Sequence, residues 1–218
     1  IQKANHILTS LSPNSQGDPV LDQYNEVFSK NTFDWVGYLS TTGVYGNHNG
    51  GWVDENSPLK PTTTRGQLRE EAEFAWSKLN VNLHIFRLAG IYGPGRGPFS
   101  KVRNGTARRI IKKGQLFSRI HVDDIAQVLL ASIRYPRQGA IYNVCDDTPA
   151  PPEDVIAYAA ELLGMPIPLA VDYNEADMTP MARSFYAENK RVRNDLIKEE
   201  LGIELKFPDY KTGLQSLL

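Results

Sequence analysis

Ser40, Thr41 and Thr42 follow directly on the apolar run Trp35-Val36-Gly37-Tyr38-Leu39, and further along Arg65 and Arg69 stand four residues apart. If the apolar run is a strand of an open α/β sheet, the three hydroxyls fall at its carboxyl end, where such sheets bind ligands. There they can donate hydrogen bonds to a substrate carbonyl or hydroxyl. The plainer reading is that Ser and Thr at a strand end satisfy the backbone of a turn. Spacing of four puts Arg65 and Arg69 on one face of a helix, where Arg69 and Glu73 could also make simple i,i+4 contacts. A guanidinium titrates above about 12, so it can hold an anion or a hydroxyl but cannot exchange a proton near neutral pH.

The other reactive residues point to little chemistry. Cys145 is the only cysteine, which excludes an intrachain disulfide and leaves a thiolate metal site short of ligands. His6, His48, His84 and His121 lack metal-ligand spacing; His84 reads as part of a strand and His121 as a structural hydrogen-bonder. Asp146-Asp147 reads as a turn rather than a cation site. Neither Gly-x-Ser-x-Gly nor His-Glu-x-x-His occurs, which removes the common hydrolase motifs.

The elements that must position these residues alternate between strand-like and helix-like segments, the pattern of a parallel sheet covered by helices. Strands are expected at 6–11, 35–40, 83–88 and 140–144, and helices at 19–29, 64–79, 100–113, 123–135, 152–163 and 189–201. Asp123 or Asp124 opens one helix and Gly164 closes another after Leu162-Leu163. Gly and Pro cluster at Gly93-Pro94-Gly95-Arg96-Gly97-Pro98 and at Thr148-Pro149-Ala150-Pro151-Pro152, where the chain can cross into a second lobe.

The 218 residues suffice for a sizeable core, and 24 Lys and Arg against 25 Asp and Glu describe an ordinary surface, not a nucleic-acid-binding one. No apolar run approaches the roughly 20 residues that span a bilayer, and the amino terminus has no signal-peptide pattern. A reducing, cytoplasmic location is expected, with an organellar one left open because the chain begins without Met, almost directly in a strand. Between Arg96 and Arg119 eight basic residues occur without an acidic one, a run that reads first as a solvated helix face.

Four segments carry a resemblance. Ser40-Thr41-Thr42-Gly43-Val44-Tyr45-Gly46, Arg87-Leu88-Ala89-Gly90-Ile91-Tyr92-Gly93-Pro94-Gly95, Arg119-Ile120-His121-Val122-Asp123-Asp124-Ile125-Ala126 and Tyr142-Asn143-Val144 stand in order along the chain. They resemble the extended short-chain dehydrogenases/reductases, the epimerase/dehydratase-like group, and the pattern is similar to that group's atypical relatives. The resemblance implies an α/β fold: a Rossmann-like doubly wound parallel sheet with a smaller carboxyl-terminal substrate lobe. On it, 1–145 would be a partial NAD(P)-binding domain with 93–118 contributing to the substrate lobe, and 146–218 the small lobe.

The resemblance also assigns roles. Thr41 matches the catalytic Ser/Thr, and the register of the catalytic Tyr-x-x-x-Lys is filled by Arg65 and Arg69. Tyr can exchange a proton during hydride transfer and Arg65 cannot, whereas Arg69 keeps the charge that reaches ribose hydroxyls. Tyr45, Tyr38 and His48 are the nearest substitutes for the acid in sequence. Ser10, Leu11, Ser12, Thr41, Arg69, Leu88 and Ala89 are the implied cofactor contacts; Thr42, Gly90 and Arg119 are the implied substrate contacts, with Arg119 the first choice for an anion. No metal is implied.

A dinucleotide site normally opens with strand, Gly-x-Gly-x-x-Gly and helix, and no such segment is present. The family's first mononucleotide-binding half would precede residue 6, so NAD or NADP binding by these residues alone is expected to be weak or absent, and an exposed sheet edge is expected where that half would pack. Two functions fit: an NAD(P)-dependent epimerase/dehydratase or reductase acting on a small carbonyl, hydroxyl or nucleotide-sugar-like compound, and a non-catalytic NAD(P) sensor. The expected partners are a small-molecule substrate and, for assembly, a second copy as a homodimer, with no nucleic acid and no membrane.

Overall fold

The computed structural model describes residues 1 and 3–218. Its centre is a four-stranded parallel sheet of β1 (His6–Thr9), β2 (Trp35–Thr41), β4 (Leu83–Leu88) and β8 (Ala140–Val144), in the order β1-β2-β4-β8. Every residue of β4 is buried, as expected of a central strand covered on both faces. Alternation along β2 and β4 divides the core in two. Val36, Tyr38, Leu83 and Ile85 pack with Phe28 and Trp76 on one face, while Trp35, Phe86, Leu88 and Tyr142 pack with Ile120 and Val128 on the other. Gly37 is required between these layers: a Cβ there would lie 2.1 Å from the Trp35 ring folded over it.

On the first face lie α1 (Pro19–Lys30) and α2 (Thr64–Ser77). Asp18 caps α1, accepting from Val20 N at 2.9 Å and Leu21 N at 3.2 Å, and its other oxygen accepts from Trp76 Nε1 at 3.1 Å. One carboxylate thereby starts one helix and anchors the next. On the second face lies α4 (Val122–Arg134), capped by His121, whose Nδ1 accepts from Asp123 N. Asp123 and Asp124 occupy its first turn, and Asp124 is buried, accepting from Lys206 N and Phe207 N. α5 (Pro152–Leu162) ends as expected, with Gly164 left-handed at φ 62°.

Three small parallel pairs lie above the sheet: β3 (Trp52–Val53) with β10 (Arg191–Val192), β5 (Gly90–Tyr92) with β7 (Arg119–His121), and β6 (Arg109–Ile111) with β9 (Ala170–Asp172). Tyr92 of β5, α3 (Phe99–Arg103), α5 and α8 (Tyr210–Gln215) build a second core around Tyr92, Phe99, Val102, Ala159, Tyr210 and Leu214, and α6 (Pro180–Ala187) lies between β9 and β10 in the chain. α7 (Asp195–Leu201) returns to the sheet, burying Ile197 and Leu201 in the core beside Tyr142. No helix among the described residues is long and apolar enough to cross a membrane.

Two expected helices are corrected. The one at 100–113 stops at Arg103, because Asn104-Gly105 turns with Gly105 at φ 66°, and the β-branched Ile110-Ile111 pair as a strand instead. The one at 189–201 begins only at Asp195. Upstream, the Asn189 side chain is spent on Leu116 N and Gly114 O, and Arg191–Val192 are drawn into a strand. Strand β1 ends at Thr9, short of Leu11, and pairs on one side only among the described residues, with Leu8 and Leu11 exposed.

Beneath the strand ends sits a buried polar cluster. Arg87 of β4 pairs with Glu73 of α2, Nη2 to Oε2 at 2.8 Å, with both side chains almost fully enclosed. Glu73 Oε1 accepts from Ser40 Oγ, and Arg87 Nη1 donates at 3.0 Å to Tyr45 Oη, which donates at 2.7 Å to Asn143 Oδ1 of β8. Removing one partner of such a pair strands the other charge in a poor dielectric. Arg87→Met is expected to cost about 3–5 kcal/mol in urea unfolding, and Glu73→Gln with Arg87→Met together to recover part of that loss.

A candidate active-site cleft at the strand ends

The carboxyl ends of β1, β2 and β4 open on a cleft of about 1030 Å³, closed on its far side by the second lobe. Its sheet wall includes Ser10, Thr41, Thr42, Leu88, Ala89 and Gly90, and its rim includes Arg65 and Arg69. Thr41 Oγ1 accepts from Gly43 N at 3.1 Å, capping the 3₁₀ turn Thr42–Tyr45. No protein acceptor takes its hydroxyl proton among the described residues, so it can donate into the cleft. Gly46, at φ 70°, ends the turn where a Cβ would lie 1.8 Å from Lys60 O. The first turn of α2 rides on the same turn: a Cβ at Gly66 would lie 2.9 Å from Gly43 O.

Arg65 and Arg69 leave α2 for different partners. The Arg65 guanidinium lies 4.4 Å from the ring centroid of Phe185 on α6, spanning the cleft mouth. Arg69 donates from Nη1 to Leu39 O and, at 3.2 Å, to Tyr38 Oη, and from Nη2 to Ser12 Oγ at 3.0 Å. It thus ties α2 to the ends of β1 and β2. The simple i,i+4 contact of Arg69 with Glu73 is not made, because Glu73 is held by Arg87.

Several expected residues lie elsewhere. Ser40 lines the wall, but its hydroxyl donates to Glu73 and is not offered to a ligand. Tyr38 and Tyr45 are fully buried, and burial pushes each phenol up to about 12 despite the neighbouring guanidinium. Neither they nor His48, whose Nε2 contacts Tyr45 O at 3.0 Å, line the cleft. Leu11 and Ser12 are exposed outside it. The basic run 96–119 is no single helix face: Arg96, Lys101 and Arg108 reach the cleft, whereas Lys112 donates to Tyr186 O.

Arg119 enters the cleft from β7, spending Nη1 on Phe117 O at 2.8 Å and Ala150 O at 3.1 Å. Burial lowers its pKa. Behind it Asp146 is buried with both carboxyl oxygens unpartnered, and burial pushes its pKa up to about 8, with Arg119 opposing the rise. A second pair was outside the expected site: Lys190 Nζ donates to Glu188 Oε2 at 2.9 Å and to Gly46 O at 2.9 Å, and Thr62 Oγ1 donates to Glu188 Oε1 at 2.9 Å. Both residues line the cleft, in a stretch whose sequence signals only the approach to a helix.

The parallel sheet, its covering helices and the cleft at the strand ends make a Rossmann-like α/β fold. The same fold appears in a human epimerase family protein, SDR39U1, solved with NADPH, at TM-score 0.78 and 16% identity over 99% of this chain and 82% of that one. Within that fold, the chain belongs to the family of a functionally unknown conserved protein from Silicibacter pomeroyi DSS, 63% identical over 98% of this chain and 77% of that one, at TM-score 0.96. It is also similar to Protein YeeZ of Escherichia coli K12, 32% identical over 79% of this chain, and to the 3-diazoavenalumate denitrifying reductase of a Streptomyces, 28% identical over 75%. It spans 58% and 55% of the lengths of these two relatives. No family model matches.

Asp146 gives the cleft a pH signature. Between its ordinary pKa near 3.8 and about 8, the folded state holds a proton that the unfolded state has lost, so stability falls as pH rises across this window. Asp146→Asn is expected to flatten that decline, gaining at least about 1 kcal/mol over the wild type at pH 8 relative to pH 5 in urea titrations.

Proposed function

We propose that this chain forms the substrate-side part of a cytoplasmic NAD(P)-dependent reductase or epimerase/dehydratase, acting on a small carbonyl, hydroxyl or nucleotide-sugar-like compound. The observation that carries the reading is the single cleft shared by the Thr41 turn, the Leu88–Gly90 strand end and Arg119. The residues present fit the nicotinamide end of a dinucleotide: Ser10 and Thr41 offer hydroxyls, Leu88 and Ala89 line the same wall, and Arg69 retains its Nε–H and one Nη2 hydrogen. Bound NAD(P) would supply hydride exchange. A pyrophosphate cradle is not built by the described residues. The Gly93–Gly97 segment is a hairpin turn closed by Gly93 and Arg96, not the opening of a helix. A Gly-rich strand–turn–helix unit added at the free side of β1 would furnish one.

In this reading Thr41 orients the substrate oxygen with its hydroxyl proton, and Arg119 holds a negative charge on the substrate. Arg65 closes the mouth against Phe185 and exchanges no proton. That last feature also favours a second reading, a non-catalytic NAD(P) sensor, because a sensor loses nothing when the phenol is replaced.

Hydride-transfer assays and calorimetry on a protein of the relatives' full length separate the two. For the enzyme, Thr41→Val is expected to lower kcat/KM roughly 10²-fold. Tight NAD(P) binding without turnover would select the sensor, and absence of both NAD and NADP binding would sink both.

A further inference from the structure

The substrate side of the cleft has two properties that narrow what it takes. The first is charge. Arg96, Lys101, Arg108, Arg119 and Lys190 line it, and of these only Lys190 has a carboxylate within 4 Å among the described residues. Arg119 is the most costly of these, being largely desolvated with no anion in contact. Asp146 makes no ion pair with it within 4 Å among the described residues, and both its carboxyl oxygens lack a hydrogen-bond partner.

The second property is the apolar interior. Tyr92, Phe117, Phe185, Tyr186 and Tyr210 place five aromatic rings on the lining, beside Ile110 and Leu214. Phe117 and Tyr186 meet edge to face at 5.4 Å, and Phe185 is 47% exposed at the mouth. Burial raises the phenol pKa of Tyr92, Tyr186 and Tyr210, so these rings stay neutral and present flat faces or edges. Thr106, Thr179 and Ser184, with the three phenols, supply hydroxyls among these rings.

We propose that the ligand of this half-cleft is a carboxylic acid with a planar aromatic or conjugated body, its carboxylate on Arg119 and its ring between the aromatic walls. This deepens the reductase reading and rests on it for the reaction, although binding itself needs no dinucleotide. The acid replaces the missing counter-charge of Arg119, and the rings exclude water around that contact.

The test is calorimetric titration of this chain with 4-hydroxycinnamate, its neutral amide and UDP-glucose. The acid is expected to bind at least 10-fold more tightly than either other probe. Arg119→Gln should weaken it at least 10-fold, and Phe185→Ser, at an exposed ring whose loss leaves the core intact, at least 3-fold. Equal binding of the amide, binding of UDP-glucose as tight as that of the acid, or no binding of the acid overturns the proposal. None of these outcomes touches the reductase reading, which fails instead on absent NAD(P) binding in the longer protein.

Discussion

The enclosed ion pair between Glu73 and Arg87 is the constraint on which the site depends. Glu73 receives the Ser40 hydroxyl from β2, and Arg87 holds the Tyr45 phenol, which reaches Asn143 on β8. One cluster therefore fixes the end of β2, the 3₁₀ turn, α2 and two neighbouring strands relative to one another. Paired and hydrogen-bonded charges of this kind add less to net stability than to the definition of one arrangement, because separating them leaves a charge without solvent. The Thr41 hydroxyl lies at the cleft between Ser40 and Tyr45, which are both held from below.

The positions of Arg65 and Arg69 on α2 can be understood from this framework. Arg69 donates three hydrogen bonds into the body of the protein, joining Leu39, Tyr38 and Ser12. It is a brace for the strand ends. Arg65 extends outward to an aromatic ring on α6. A long side chain at that point makes a contact across the cleft, whose mouth is narrowed by a cation over a ring.

The sheet was legible in the sequence because its strands are short apolar runs bounded by turns, and the long helices because their apolar spacing and caps agree. Thr41, Thr42, Leu88, Ala89 and Gly90 were within reach because each abuts such a strand end, and Arg119 only through the resemblance of its segment. Ser40 looks identical to its neighbours in composition, yet strand alternation turns it toward Glu73. The helix expected over 100–113 failed because basic residues and isoleucines suit an exposed helix as well as a short strand, and Gly105 decided between them. Lys190 and Glu188 were invisible for a different reason. Their role comes from contact with Gly46 and Thr62, more than a hundred residues earlier in the chain.

That separation recurs in the pairing of β3 with β10, which joins Trp52 to Arg191 across 139 residues (191 minus 52). Closing so long a loop costs chain entropy before any contact repays it, so such pairings form slowly and late. The first three sheet strands and the Thr41 turn lie within the first 88 residues and can assemble during synthesis. The opposite wall of the cleft waits for the carboxyl-terminal half. In time as well as in space, the cleft is the last part of the molecule to come into existence, and a chain halted after Leu88 would hold the Thr41 strand end without its opposite wall.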